Sequence, residues 1–165
     1  MKLKIAGLTE ESIVDGKGIR YVVFTQGCPH HCLGCHNPKS WSYEGGTLKD
    51  TQEIFDKFCE NPLLKGITFS GGEPFMQPIP LIELAKKIKS INKDVTVYTG
   101  FTLEELLEKN DENTNELLEL TDVLIDGKFI LKQKNLELLF RGSENQRLID
   151  MNKTRETKKI ELIYE

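Results

Sequence analysis

The chain has 165 residues, 38% of them apolar, with a formal net charge of −4 and an isoelectric point near 5.5. That length suits one domain, residues 1–165, with a hydrophobic core, and the acidic balance with dispersed lysines excludes a surface built to coat nucleic acid, which needs a basic excess. Met1 to Gly7 shows neither the apolar stretch nor the cleavage site of a signal peptide, and no run approaches the roughly 18 apolar residues of a membrane span. A cytoplasmic protein with no membrane partner is expected, and reducing conditions there make clustered cysteines a sign of metal or redox chemistry.

Residues 3–14 mix short apolar pieces with Gly7 and a Thr/Glu/Ser turn, and read as a short strand and a loop. The turn Asp15-Gly16-Lys17-Gly18-Ile19-Arg20 delivers the chain into Tyr21–Thr25, a β-branched and aromatic run expected as a buried strand. Gly27-Cys28-Pro29-His30-His31-Cys32-Leu33-Gly34-Cys35-His36-Asn37 follows directly and holds three of the four cysteines and all three histidines, in C-x3-C-x2-C spacing. Such a loop can present the thiolates of Cys28, Cys32 and Cys35 to one inorganic centre.

Three readings of that loop stay open on its residues alone. Iron–sulfur clusters are ordinarily held by four cysteines, so three would leave one iron open to an outside ligand. Zinc would take a fourth ligand from His30, His31 or His36 to close a tetrahedron. Plain buried thiols are the third reading, although core cysteines do not ordinarily crowd together. His30 and His31 otherwise read as solvated loop residues, either able to shield the centre.

Pro38–Gly46 is irregular, with Trp41 either a lid over the loop or a surface anchor. Asp50-Thr51-Gln52-Glu53 has the form of a capping box for a helix through Glu60, ended by Asn61-Pro62. Within it Ile54, Phe55, Phe58 and Cys59 share a helical face, so Cys59 is expected in the core. Gly66–Ser70 is a second strand running into Gly71-Gly72-Glu73-Pro74, and Ile79–Ser90 a second helix. Val95–Thr99 is a third strand, followed by Gly100-Phe101 and a capping box, Thr102 to Glu105. Lys109–Asn115 reads as a solvated loop or insertion, and Leu117–Leu120 as helix. Asp122–Asp126 is a fourth strand, ending in Gly127-Lys128-Phe129. Beyond it Leu136–Phe140 reads as a helical turn, Gln146–Ile149 as a short strand and the alternating Lys159–Tyr164 as a final strand.

Strands alternating with helices imply right-handed crossovers and a mainly parallel sheet. A closed eight-fold barrel needs about 250 residues, so the expected architecture is an α/β fold, an open partial (βα) barrel of about five or six strands. The C-terminal ends of parallel strands share one rim, where active sites collect. On it stand the cysteine loop, Gly71-Gly72-Glu73, Thr99-Gly100 and Asp126-Gly127-Lys128. Paired glycines can bring the backbone up to a small charged ligand, or can simply form a tight turn. Asp126 can bind a ribose hydroxyl or ammonium and Lys128 a carboxylate, or the two can make a surface ion pair.

Cys28-x3-Cys32-x2-Cys35 resembles the cluster loop of radical S-adenosylmethionine enzymes, and Gly71-Gly72-Glu73 resembles the motif with which they hold the cofactor's amino group. The resemblance implies a 4Fe-4S cluster on Cys28, Cys32 and Cys35 whose remaining iron binds S-adenosylmethionine, which on reduction yields methionine and a 5′-deoxyadenosyl radical. It implies cofactor contacts from the main chain of Gly34 to His36 and from Gly71, Gly72, Glu73, Thr99, Asp126 and Lys128. Relatives often carry an aromatic residue where this chain has Gly34, so His36 is the side chain nominated to stack on adenine.

Asp15-Gly-x-Gly-Ile-Arg20, Tyr98 to Thr102, Asp126 to Phe129 and Phe140-Arg141-Gly142-Ser143-x-Asn145-Gln146-Arg147 together resemble the activating proteins of anaerobic ribonucleoside-triphosphate reductases, over about residues 4–150. The implied reaction removes hydrogen from one backbone glycine of the reductase's large glycyl-radical subunit. The implied partners are that subunit and a low-potential electron donor such as flavodoxin or ferredoxin. Arg141 and Arg147 would contact the partner or the cofactor carboxylate, or pair with surface acids. Pyruvate formate-lyase activases and small deazaguanine-forming enzymes share the loop, but the stretch from Arg141 to Arg147 speaks against both. A non-enzymatic zinc- or cluster-bearing interaction module is the competing reading of another class.

Overall fold

The structure is a computed structural model that describes residues 1–164. Among these, strands β1 (Lys2–Ser12), β2 (Arg20–Thr25), β3 (Thr47–Asp50), β4 (Gly66–Gly71), β5 (Asp94–Tyr98), β6 (Val123–Asp126) and β7 (Arg147–Asp150) form one sheet in the order β3-β1-β2-β4-β5-β6-β7. The helices are α1 (Thr51–Cys59), α2 (Pro78–Ser90), α3 (Leu103–Lys109), α4 (Glu112–Leu120) and α5 (Met151–Thr157). β2, β4, β5 and β6 run parallel, whereas β1, β3 and β7 join antiparallel. The sheet is open, so the expected partial barrel is present, with a parallel centre flanked by antiparallel strands.

Side-chain alternation along the strands separates the core from the site. Ile67 and Phe69 of β4 and Val95 and Val97 of β5 enter a core completed by Leu81, Leu84, Ala85 and Ile88 of α2. Full burial of each of these Leu, Ile and Val side chains contributes about 1.5–3 kcal/mol. Phe24, Ser70 and Tyr98 occupy the alternate positions and line a cleft on the opposite face. At the N-terminal ends of the parallel strands, Arg20 is buried and donates to Thr68 Oγ1 at 2.7 Å, Ile67 O at 2.8 Å and Lys17 O at 3.0 Å. It also pairs with Asp94 at 2.5 Å, fixing the preceding glycine turn to β4 and β5.

Several local readings need correction. β1 is longer than expected because Gly7 does not end it: the register shifts between Ile5 and Gly7, a bulge that glycine tolerates. β3 is a polar edge strand with no apolar alternation to announce it. Cys59 is exposed rather than in the core, since α1 buries Thr51, Ile54 and Phe58 and its last residue falls off that stripe. Asp50 caps α1 by accepting from Gln52 N, while Glu53 faces Lys49 at 3.5 Å instead of completing a box. The box at Thr102 and Glu105 is complete.

Residues 109–115 are not a simple loop. Asp111 caps α4, whose Thr114 is buried, and Asn110 turns the chain with φ +45°. Residues 136–137 form a single turn, closed by Leu138 N donating to Asn135 O at 3.3 Å, and 138–140 are bends; the nearby 3₁₀ helix lies at Leu131–Gln133. The alternating tail makes a single bridge, Leu162 to Ile149, because α5 intervenes and carries the chain away from β7. No helix among the described residues is long and apolar enough to cross a membrane.

Candidate active site

Gly27 turns the chain out of β2 with φ +103°. Its amide donates to Ser40 O at 2.6 Å and that of Cys28 to Trp41 O at 3.1 Å, so residues 28–40 leave and return at one point. Gln26 ties that base by donating to Lys39 O and Ser42 O at 2.9 and 2.7 Å. Within the loop Cys35 N donates to Cys32 O at 3.1 Å, closing a tight turn between the last two cysteines. Asn37 N reaches Cys35 Sγ at 3.5 Å.

Cys28, Cys32 and Cys35 are free thiols that line one cleft of about 620 Å³. Burial pushes the Cys28 and Cys32 thiols up from their ordinary value. Backbone amides of His30 and His31 at Cys28, and of Phe129 at Cys32, together with the charge of Lys128, act in the opposite direction. Those amides and Lys128 act toward the thiolate, the form a metal binds. Three sulfurs on one loop facing one cleft fit an iron–sulfur centre. Among the described residues no three His, Cys, Asp or Glu side chains are already gathered as a metal cage.

His30 and His36 line the same cleft, and each of the three histidine rings has a protein partner. His30 is buried, its side chain 5% exposed, and its Nε2 donates to Glu73 at 2.6 Å. The expectation of a solvated loop residue is corrected here, since the ring also packs edge-on against Phe101, centroids 4.6 Å apart. His31 is exposed and stacks on Trp41 at 4.6 Å, so Trp41 covers the loop. His36 leans on Phe129 with centroids 5.4 Å apart.

Of the residues singled out in the sequence, the cysteines, His36, Gly71, Gly72, Thr99 and Gly127 are gathered on the cleft. Glu73, Asp126 and Lys128 do not line it. Glu73 is fully buried and accepts from scaffold donors in three loops. Asp126 is 1% exposed, accepts from Leu103 N at 2.8 Å at the start of α3 and is gripped by Arg147. Lys128 is exposed, and the ion partner of Asp126 is Arg147 rather than Lys128. Arg147 is bound by Asp126 and Glu104, and Arg141 donates to Gln146 O at 3.2 Å.

The amides of the glycine loop are also committed: Gly72 N donates to Thr25 O and Glu73 N to Gly27 O, both at 2.8 Å. A Cβ on Gly72 would stand 2.4 Å from Gly27 O, so this glycine lets the β4 loop nest against the base of the cysteine loop. At Gly34, φ +79°, a Cβ would meet Leu131 at 2.9 Å and Phe129 at 3.3 Å. The space beside Gly34 is therefore occupied by Phe129 and Leu131, which arrive from beyond β6.

Sequence reasoning missed Tyr98 as a cleft residue, although its alternation with Val97 was a usable signal. Its hydroxyl donates to Phe140 O at 2.6 Å and ties β5 to the far wall. It also missed the lips at Ile13, Val14, Leu136 and Leu139, which are exposed and line the same cleft.

Residues 14–149 match the family described as "4Fe-4S single cluster domain". Over 144 residues the chain is 38% identical to the anaerobic ribonucleoside-triphosphate reductase-activating protein of Haemophilus influenzae and 40% identical to that of Vibrio cholerae. Each match covers 81% of this chain and 89% of the relative. The protein of that name from Enterobacteria phage T4 is 33% identical over 145 residues, covering 82% of this chain and 86% of its own. With the match spanning all four rim loops, the chain belongs to the iron–sulfur, radical S-adenosylmethionine family of anaerobic ribonucleoside-triphosphate reductase-activating proteins.

Proposed function

We propose that this single-domain, cytoplasmic chain installs a radical on a backbone glycine of the large subunit of an anaerobic ribonucleoside-triphosphate reductase, drawing electrons from a low-potential donor such as flavodoxin or ferredoxin. The observation that carries the reading is the gathering of Cys28, Cys32 and Cys35 with Gly71, Gly72, Thr99 and Gly127 on one open cleft. The bound 4Fe-4S cluster and S-adenosylmethionine supply a 5′-deoxyadenosyl radical, the species that takes the glycine hydrogen.

The residues divide the remaining work. Cys28, Cys32 and Cys35 hold the cluster. The main chain of Gly34 to His36 and of Gly71 and Gly72 borders the cofactor, with the imidazole of His36, backed by Phe129, offering a flat face for adenine. We assign Lys128 to the cofactor's carboxylate because its charge already acts on Cys32. Thr99, Glu73 and Asp126 serve by fixing the loops. The cleft is open at one side, which suits a polypeptide segment better than an enclosed small molecule.

Anaerobic reconstitution with iron and sulfide tests this directly. A brown protein that cleaves S-adenosylmethionine on reduction and raises a glycyl radical signal in the reductase is expected, and Cys32→Ala should abolish both. A colourless protein holding stoichiometric zinc, or a normal signal from Cys32→Ala, would overturn the assignment.

A further inference from the structure

We propose that His30 and Glu73 form a clasp that positions the cysteine loop on the glycine loops, so that Glu73 is a positioning residue and not the acceptor for the cofactor's ammonium. The inference rests on the reading that the cysteine loop carries the cluster, but its geometry is independent of any bound group. Glu73 is fully buried and its carboxylate is saturated. Oε1 accepts from His30 Nε2 at 2.6 Å, Gly100 N at 2.8 Å and Thr99 Oγ1 at 2.9 Å; Oε2 accepts from Thr99 Oγ1 at 2.8 Å and Phe75 N at 3.1 Å. A carboxylate offers about four acceptor positions, and four donors already occupy them. Nothing is left for an ammonium.

Those donors come from three separate loops. His30 belongs to the cysteine loop, Phe75 follows the paired glycines, and Thr99 and Gly100 follow β5. His30 joins both ends of the arrangement: it lies two residues from Cys28, whose thiol pKa its backbone amide lowers, and its ring is held by Glu73. Gly100 is shaped for the ring, since a Cβ there would fall 2.4 Å from His30 Cδ2. The neighbouring main chain repeats the attachment, with Glu73 N donating to Gly27 O. With Nε2 committed to Glu73, that nitrogen would not be available to ligate a metal held by the cysteines.

Two readouts test the clasp, and neither needs turnover. The first is hydrogen exchange of amides 27–36 in the metal-free full chain. Breaking a hydrogen bond to a buried carboxylate should free the loop locally, speeding exchange there by about tenfold or more in His30→Leu and Glu73→Gln. Exchange in α2 should not change, and His30→Gln, which keeps an N–H donor, should recover part of the protection. The second is chelator-driven loss of iron, with the spectrum of the reduced cluster before and after S-adenosylmethionine is added. Both single variants should lose iron faster, and the double variant no faster than Glu73→Gln alone, because the bond that His30→Leu removes is already disrupted there.

Wild-type exchange at 27–36 in both variants would overturn the clasp. So would a Glu73→Gln protein whose cluster is retained normally and which has lost only the spectral response to S-adenosylmethionine, the signature of a direct ligand. If Glu73→Gln fails to fold, His30→Leu alone decides through exchange. A wild-type chain that takes up no iron would refute the cluster reading and leave the exchange test standing.

Discussion

Arg147 of β7 holds the buried carboxylate of Asp126 at the end of β6 through two atoms, Nε to Oδ1 at 2.9 Å and Nη2 to Oδ2 at 2.5 Å. The same guanidinium reaches Glu104 on α3, and the hydrogen bonds it donates to Asp126 and then to Glu104 hold Arg147 more firmly protonated than usual. Asp126 also accepts from Leu103 N, so one carboxylate joins β6, β7 and α3 beneath the Gly127 loop. Removing the arginine leaves a buried, unpaired charge, which costs about 3–5 kcal/mol. Arg147→Met is therefore expected to lower unfolding free energy in urea by about that amount. Adding Asp126→Asn should restore part of the loss; a double variant weaker than Arg147→Met would contradict this account.

The fit of Gly72 against Gly27 predicts an effect confined to the site. A methyl at position 72 would meet backbone on the far side, which cannot rotate away. Gly72→Ala should keep the far-ultraviolet circular dichroism of the parent while taking up less than about half the iron, since only the seat of the cysteine loop is displaced. Full iron content in this variant would show that the two loops can separate freely.

Asp122 predicts a pH dependence. Burial raises its pKa, but hydrogen bonds from Lys89, Val95 N and Asn152 outweigh burial and leave it below the ordinary 3.8. A carboxyl whose folded-state pKa is depressed stabilises the fold above its unfolded value and loses that contribution as pH falls through the folded one. Unfolding free energy should therefore decline below about pH 4, and Asp122→Asn should flatten the decline. An equal acid slope in both proteins would sink the attribution.

Cys59 is exposed at the end of α1, remote in sequence from the other three thiols. Cys59→Ser should change stability by no more than about 0.5 kcal/mol and leave iron content unchanged. A drop of 1 kcal/mol or more, on the order of a buried group, would restore the core reading.

Much of the fold was legible because its signals are local. β2, β4, β5 and β6 announce themselves as short β-branched runs, each ending in a glycine-bearing turn, and the capping chemistry of Thr102 marks α3. The elements that escaped lack such marks. β3 is polar because it is an edge, and α5 is short, with Met151 its one buried side chain. The cap of α4 lay hidden in a polar stretch whose composition alone resembles a loop.

The sequence by itself determined the chemistry on offer: three thiols at C-x3-C-x2-C spacing after a buried strand, facing glycine loops on a common rim, since spacing and strand order follow from neighbouring residues. Only the tertiary structure decided what the charged residues among them do. Glu73 turns inward to His30, 43 residues away, and Asp126 to Arg147, 21 residues away. A carboxylate's role is set by the donors that meet it when it is buried, and those donors arrive from distant loops that no local pattern brings together.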